Sequence, residues 1–239
     1  MSGWLGSVWV MVPALTTMRW PRVHNHLAIG ASTGYMAGYR NDWDALARMA
    51  AEVSLWAVEL SALSEPELPV LLDWLDARPS LPFRWVGAHG PTKARAMPEG
   101  DLVEMLEGLA RHVETIVLHP DTMVDLPLYR RLGAKLSVEN MDTRKSVGQH
   151  ADQLQLIFDE LPQARLCFDV AHASAVDSSM GEGEGILERF GARLSHVHVS
   201  SLDGRCHHVS LTEEDEDRFD SLLGRCRDVP WILEAPPRR

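Results

Sequence analysis

Cysteine is scarce in this sequence, which contains only Cys167, Cys206 and Cys226. The number is odd and no pair has CxxC spacing, so neither a disulfide framework nor a structural zinc knuckle is predicted. Free thiols of this kind are typical of the reducing cytosol, and we therefore expect a cytoplasmic protein.

Long hydrophobic runs and a basic N-terminus are missing as well. The apolar stretch at residues 4–15 is too short to span a membrane. No Lys or Arg precedes it, and Ser7 and Pro13 interrupt it, which argues against a secretory signal peptide. The sequence predicts neither membrane insertion nor export.

Positive charge is also in short supply. The chain has 23 Lys and Arg residues against 34 Asp and Glu residues, a net charge of -11. Nucleic-acid binding depends largely on neutralising phosphates with Lys and Arg, so this composition does not favour a nucleic-acid partner. A local cluster of basic residues at the rim of a site is still compatible with the net charge. Hydrophobic residues make up 45% of the chain, which is enough for a sizeable core.

What the sequence does contain is a regular alternation of short apolar runs and amphipathic segments from Leu27 onward. We predict eight strands, at residues 27–30, 55–60, 84–89, 115–119, 135–140, 166–172, 194–200 and 229–234. Helices are predicted between them, at residues 46–53, 68–75, 102–113, 128–132, 151–161, 186–190 and 212–223. Parallel βα units in this number predict an α/β fold, a single (β/α)8 TIM barrel.

No helix is predicted after the last strand, so the barrel of residues 27–239 would lack its final C-terminal helix. The apolar N-terminal extension, residues 1–26, is predicted to pack over the junction of the first and eighth strands. A partner subunit, as in a homo-oligomer, is the alternative cover.

Titratable residues stand at the carboxyl ends of the predicted strands. They are Glu59, His89, His119, Glu139, Asp169, His172, His198 and Glu234. Strand ends of a barrel converge on one mouth, where four carboxylates and four imidazoles would repel one another strongly without a bound cation. Histidine with carboxylate is the ligand set of zinc, manganese or iron rather than of calcium, so the set predicts a divalent metal site.

The residues around these strand ends resemble the motifs of a known superfamily. The motifs are His89-Gly-Pro, Leu118-His119-Pro120, Val138-Glu139-Asn140, Cys167-Phe-Asp169-Val-Ala-His172, Val197-His198 and Leu233-Glu234-Ala-Pro236. Their order and spacing are similar to those of the xylose isomerase-like TIM barrel superfamily, which includes sugar isomerases and epimerases and endonuclease IV. The motifs are most similar to those of endonuclease IV.

The resemblance implies two or three metal ions per chain. The first would be held by His89, His119 and Glu139. The second would be held by Glu139, Asp169, His198 and Glu234, with Glu139 bridging. A third would be held by His172 and His208.

Two departures from the family pattern bear on the third site. Val199-Ser200-Ser201 stands where the family has Asn-Asp-Ser, and Cys206-His207-His208 stands where it has Asp-x-His. Cys206 is either a zinc-ligating thiolate or an ordinary surface-loop cysteine. The loops are also short, which leaves little material for the DNA-penetrating loops of endonuclease IV.

Basic residues in two loops at the predicted mouth indicate the substrate. They are Lys93, Arg95, Arg144 and Lys145. In an acidic chain this placement suits a small anionic substrate, a phosphoester or sugar phosphate, although solvated loop charges are the ordinary alternative.

The leading hypothesis is a multinuclear hydrolase of a small phosphoester, in which Glu139 bridges metals that activate a water. One alternative is a sugar or sugar-phosphate isomerase or epimerase, in which Glu139 and Glu234 transfer protons around one metal and His172 contacts a substrate hydroxyl. Another is a metal-binding barrel without catalysis, supported by the altered residues at 199 and 206.

Overall fold

The computed structural model describes residues 26–93 and 96–238. Its strands are β1 (Ile29–Ser32), β2 (Ala57–Ser61), β3 (Trp85–His89), β4 (Thr115–Leu118), β5 (Leu136–Glu139), β6 (Arg165–Asp169), β7 (Leu194–Val199), β8 (Ser201–Leu202), β9 (His208–Val209) and β10 (Trp231–Leu233). Eight of them are parallel and close into a barrel in the order β1-β10-β7-β6-β5-β4-β3-β2. The remaining two, β8 and β9, form an antiparallel hairpin at the mouth end of β7.

Helices follow the strands and cover the outside of the barrel. They are α1 (Trp43–Val53), α2 (Glu67–Asp76), α3 (Glu99–Leu109), α4 (Leu126–Tyr129), α5 (Ala151–Glu160), α6 (Val170–Val176), α7 (Gly181–Phe190) and α8 (Glu213–Gly224). Residues 234–238, which follow β10, form no helix. The predicted (β/α)8 barrel is therefore confirmed. None of the described helices is long and apolar enough to cross a membrane.

Local sequence signals explain where the longer helices begin. The Asp42 carboxylate accepts a hydrogen bond from Ala45 N at 2.9 Å, and the Thr212 hydroxyl accepts one from Asp215 N at 3.1 Å. Such caps satisfy backbone donors that have no partner inside the first turn. The acidic run after Thr212 forms the first turn of α8, where the helix dipole favours negative charge.

The helices differ from the prediction at two places. The Gly/Glu-rich segment before residue 186, where no helix is predicted, forms the first half of α7, because Glu182 and Glu184 stabilise its positive end and Asp177 accepts a hydrogen bond from Glu182 N at 3.0 Å. Residues 170–172, predicted as the end of the sixth strand, instead form the first turn of helix α6. It begins directly after β6 because the Asp169 side chain caps it.

The first strand lies two residues later than predicted, at Ile29–Ser32 instead of 27–30. This register places Gly30 against the neighbouring strand β2, where a Cβ atom would lie 2.5 Å from Ala57 O. Only glycine permits that approach of two backbones. The predicted packing of the N-terminal extension falls almost entirely outside the described residues, but His26 stacks on Trp231 of β10 with ring centroids 4.2 Å apart.

The core of the molecule lies between the strands and the helices, with Leu, Ile and Val from both. The inside of the barrel is unusually polar for this fold, whose interior normally holds branched apolar side chains. Hydrogen bonds join Thr115, Ser137 and Ser195 across β4, β5 and β7 at 2.6 and 2.8 Å. Above this layer, toward the mouth, lie the charged residues of the candidate site.

Candidate metal centre

One carboxylate lies at the middle of the barrel mouth and is contacted from three strands. Glu139, the last residue of β5, is 1% exposed. Its Oε2 atom lies 3.2 Å from His89 Nε2 and 3.0 Å from His119 Nε2. Its Oε1 atom lies 3.0 Å from His198 Nδ1. The side chain therefore belongs to two ligand groups at once.

The first group consists of His89, His119 and Glu139, with ligand atoms within 4.8 Å of one another. His89 ends β3 and donates Nδ1–H to Gly90 O at 2.9 Å, which turns Nε2 toward Glu139. Burial acts to lower the pKa of His89, but the hydrogen bond to Glu139 and the charge of Glu59 raise it above its ordinary value. At His119, burial prevails and lowers the pKa.

The second group consists of Glu139, Asp169, His198 and Glu234. Asp169 is held rigidly at the end of β6, because its backbone N–H donates to Asn140 Oδ1 at 2.8 Å and its Oδ1 accepts from His172 N at 2.6 Å. Glu234 follows β10, and its Oε1 atom lies 3.4 Å from His198 Nδ1. Burial raises the pKa of the Glu234 carboxyl well above its ordinary value, and the nearby carboxylates add to the effect.

The third group consists of Asp169, His172 and His208. His172 lies in the first turn of α6 and donates Nδ1–H to Asn140 O at 2.9 Å. His208 lies on the hairpin strand β9, and its ring centroid is 5.1 Å from that of His172. Among the described residues, Cys206 joins none of the candidate groups. The third group therefore forms with Asp169 rather than with a thiolate.

The chemistry of these side chains fits divalent metal ions. Within the described residues, Asp169 Oδ2, Glu234 Oε2, His119 Nδ1 and His172 Nε2 are buried and have no hydrogen-bond partner. Buried carboxylate oxygens without a hydrogen-bond donor are costly, and a bound cation would remove that cost. Imidazole with carboxylate is the donor set of zinc, manganese and iron sites.

The pKa values of Glu139 and His198 are shifted by the same crowding of buried carboxylates and imidazoles. Burial acts to raise the pKa of Glu139, but the charges of His198 and His119 outweigh it and hold the pKa well below its ordinary value. Burial likewise acts to lower the pKa of His198, whereas Cys167 and the surrounding carboxylates raise it well above the ordinary value. The raised pKa values of His89 and His198 reflect the negative charge that surrounds them at the mouth.

The structure corrects one predicted position and adds two residues. Glu59 was predicted to end its strand, but β2 continues to Ser61, so Glu59 is a mid-strand residue inside the barrel. His196, two residues before His198 on β7, faces the same interior, which the alternation of a strand could have shown. Asp142 lies with its Oδ2 atom 3.5 Å from His172 Nε2. No sequence signal marked Asp142, because it follows the strand in a loop.

The predicted substrate-binding residues differ in their surroundings. Lys93 is exposed on the loop after β3, whereas Arg95 lies outside the described residues. The guanidinium of Arg144 bonds the buried Asp142 carboxylate, with Nη2 to Oδ2 at 2.6 Å. The ammonium of Lys145 is paired with Asp121 at 2.7 Å, so its charge is largely offset.

The fold of this chain is similar to that of two solved structures. A crystal structure of a xylose isomerase domain containing protein from Salmonella typhimurium LT2 is similar with a TM-score of 0.58 and 15% identity, covering 88% of this chain and 89% of that one. A xylose isomerase-like TIM barrel protein from Mycobacterium smegmatis, in complex with magnesium, is similar with a TM-score of 0.54 and 12% identity, covering 90% of each chain.

At these identities the two structures bear on the fold alone. No curated protein sequence matches the chain significantly. The sequence profile described as xylose isomerase-like TIM barrel matches residues 94–238, which is more than half of the chain and includes all but His89 of the predicted metal ligands. The chain belongs to the xylose isomerase-like TIM barrel family.

Proposed function

We propose that this barrel is a metal-dependent hydrolase of a small phosphoester. The observation that carries the proposal is the position of Glu139, whose two oxygens contact His89 and His119 on one side and His198 on the other. A carboxylate shared in this way suits a site for neighbouring metal ions, and such sites are typical of phosphoester hydrolysis.

The residues that would hold the ions are those of the three groups. His89, His119 and Glu139 would hold the first ion, Glu139, Asp169, His198 and Glu234 the second, and Asp169, His172 and His208 the third. Divalent ions in such a site stabilise charge on phosphoryl oxygens and make water a stronger nucleophile near neutral pH.

Other side chains would bind and orient the substrate. The buried Asp142 carboxylate fixes Arg144 beside His172, and Lys93 is exposed on the loop after β3. Both cations suit the phosphate of an anionic substrate, with Arg144 able to make bidentate contacts.

A sugar isomerase or epimerase is the second candidate, and one observation favours it. Glu139 and Glu234 both approach His198 Nδ1, at 3.0 and 3.4 Å, so two glutamates face one small volume as a proton-transfer pair would. Against it, Glu139 Oε2 is already contacted by His89 and His119, which leaves that carboxylate less free to exchange protons.

The deciding experiment combines metal counting with two assays on the full chain. Protein stripped of metal and reloaded with zinc, manganese or magnesium is tested on p-nitrophenyl phosphate, bis(p-nitrophenyl) phosphate and sugar phosphates. Two or more ions per chain with phosphate release supports hydrolysis. One ion per chain with deuterium exchange into ketoses or ketose phosphates, and no phosphate release, overturns hydrolysis in favour of isomerisation. If the protein binds metal but catalyses neither reaction, hydrolysis is overturned in favour of a non-catalytic metal-binding barrel.

The Glu139→Gln variant tests the central assignment. Removing the shared charge should lower kcat for phosphate release by about 100-fold or more, since such charge stabilisation contributes several kcal/mol. Glu67→Gln is the matched control, because Glu67 is a buried glutamate paired with Arg40 outside the three ligand groups. Full turnover of Glu139→Gln would refute the assignment.

A further inference from the structure

A carboxylate lies beneath the metal centre, inside the barrel. Glu59 is the middle residue of β2, and its side chain is fully buried. Its Oε2 atom lies 3.0 Å from His198 Nε2 and 3.3 Å from His196 Nε2. Within the described part of the chain its ion pairs involve only these histidines. Burying a carboxylate costs free energy, so its position next to these histidines indicates a specific role.

The two nitrogens of His198 face different parts of the barrel. Nε2 faces Glu59, whereas Nδ1 lies 3.0 Å from Glu139 Oε1 and 3.4 Å from Glu234 Oε1. An ionised carboxylate can only accept a hydrogen bond, so Nε2 must carry the proton in its contact with Glu59. In a neutral imidazole the lone pair then belongs to Nδ1, the nitrogen that faces the metal ligands.

His196 lies next to Glu59 on the side away from the mouth. Its Nδ1 atom lies 2.8 Å from Ser195 Oγ, which also donates to Leu166 O at 2.9 Å. These contacts fix the His196 ring on β7, with its Nε2 atom 3.3 Å from the Glu59 carboxylate. Glu59 thus lies beside two histidines of the same strand, and its hydrogen bond is to His198.

From this geometry we infer that Glu59 is a positioning residue, which keeps His198 protonated on Nε2 and so presents Nδ1 to the metal centre. A carboxylate behind a ligating histidine fixes its tautomer and increases its basicity, and its loss typically costs about 10–100-fold in metal affinity. The inference rests on the metal centre that the proposed function requires, but not on the reaction performed there.

A competing use of the same interior is an ion held by Cys167, His196 and His198, whose ligand atoms also lie within 4.8 Å of one another. Glu59 already contacts the inward nitrogen of His198 at 3.0 Å, and its Oε2 atom lies 3.3 Å from His196 Nε2. Both contacts favour the positioning role.

The first test measures the affinity of the full chain for Zn²⁺ by competition with a chromophoric chelator. Glu59→Gln keeps the size of the side chain and removes its charge, and it should weaken zinc binding about 10–100-fold. The matched control Glu67→Gln makes the same exchange at a buried glutamate outside the centre and should leave the affinity unchanged. A folded Glu59→Gln protein with wild-type zinc affinity would overturn the inference.

The second test does not depend on any variant folding. In zinc-loaded wild-type protein labelled with 15N-histidine, long-range proton–nitrogen correlations should show His198 protonated on Nε2 and metal-bound through Nδ1. Where Glu59→Gln folds, that proton resonance should move upfield, which a merely structural role would not cause.

Zinc on His198 Nε2, or zinc–sulfur scattering in X-ray absorption, would overturn the inference even without the variant. Because zinc binding is measured without turnover, a protein that binds zinc in this way but hydrolyses no phosphoester would contradict the proposed function alone.

Discussion

At the scale of the residue, the two histidines His89 and His119 separate the alternatives for the reaction. Both contact Glu139 Oε2, whereas His198 contacts Oε1 of the same carboxylate. A single-metal centre built on Asp169, His198 and Glu234 has no need of either histidine. Removing these two histidines should therefore show whether the chain binds one ion or more than one.

Replacing both histidines, as His89→Ala with His119→Ala, should remove one ion per chain and leave the ion of the second group bound. The reason is that Asp169, His198 and Glu234 keep their own contacts. Inductively coupled plasma mass spectrometry after dialysis measures the count. His112→Ala is the control, since His112 pairs with Asp76 away from the mouth. An unchanged count in the double variant would contradict the first ligand group.

Arg144→Ala should raise the KM for a phosphoester by about 10-fold or more, because a charged hydrogen bond contributes about 1.5–3 kcal/mol. Steady-state kinetics on the best substrate of the panel provides the measurement. Arg130→Ala serves as control, because Arg130 pairs with Glu160 at the surface. If the two variants had equal KM values, Arg144 would have no part in substrate binding.

At the scale of the element, strands were easier to predict than the segments that follow them. Apolar runs ending in His or acid identified β3, β5 and β6, because a strand buried on both faces must be apolar until it reaches the mouth. The start of α7 differs from the prediction because glycine is a poor helix former, and the local hydrogen bond from Glu182 N to the Asp177 carboxylate shows why the helix begins there.

The close approach of β1 and β2 gives a prediction for Gly30. Gly30→Ala should lower the free energy of unfolding by about 1–3 kcal/mol, because the new Cβ would lie 2.5 Å from Ala57 O. Gly185→Ala is the matched control. It lies within α7 with nothing within 4 Å of the added Cβ, so it should stabilise the protein by about 0.5–1 kcal/mol. Urea denaturation of both variants gives the comparison, and equal stabilities would refute the steric argument.

At the scale of the whole molecule, the barrel explains why residues far apart in sequence could be assigned to one site. His89 and Glu234 are separated by most of the chain, yet parallel strands that close on themselves bring their ends to one mouth. The proximity of these residues could therefore be predicted from the motifs and the fold. The alternation of β7 also places His196 on the same face as His198, but the contacts of His196 with Glu59 and of Asp142 with His172 depend on distances that no local pattern encodes.

Binding of metal should stabilise the whole barrel, because ions that bind only the folded state add about 2.7 kcal/mol at 100 times the Kd. Zinc or manganese should raise the Tm in a concentration-dependent way, and a chelator should reverse the increase. Differential scanning fluorimetry measures the effect. A Tm that is unchanged by the metal ion and by the chelator would argue against a metal centre.

The gain in Tm should depend on pH in a definite direction. Metal ligands must be deprotonated, and the pKa values of His89 and His198 are raised in the metal-free protein. Ions compete with those protons, so the gain should shrink as the pH falls through the raised pKa values and grow as it rises. The same titration with and without zinc tests the sign, and a larger gain at pH 5 than at pH 8 would contradict it.

In the proposed centre two ions would share the carboxylate of Glu139, so their sites should not fill independently. One negative charge would serve two ions, so the second ion to arrive finds less neutralising charge and a cation already present. Coupling between sites is reciprocal, so each ion weakens the other by the same factor. A calorimetric titration should therefore show two successive affinities. At substoichiometric metal, each chain should bind one ion before a second ion binds.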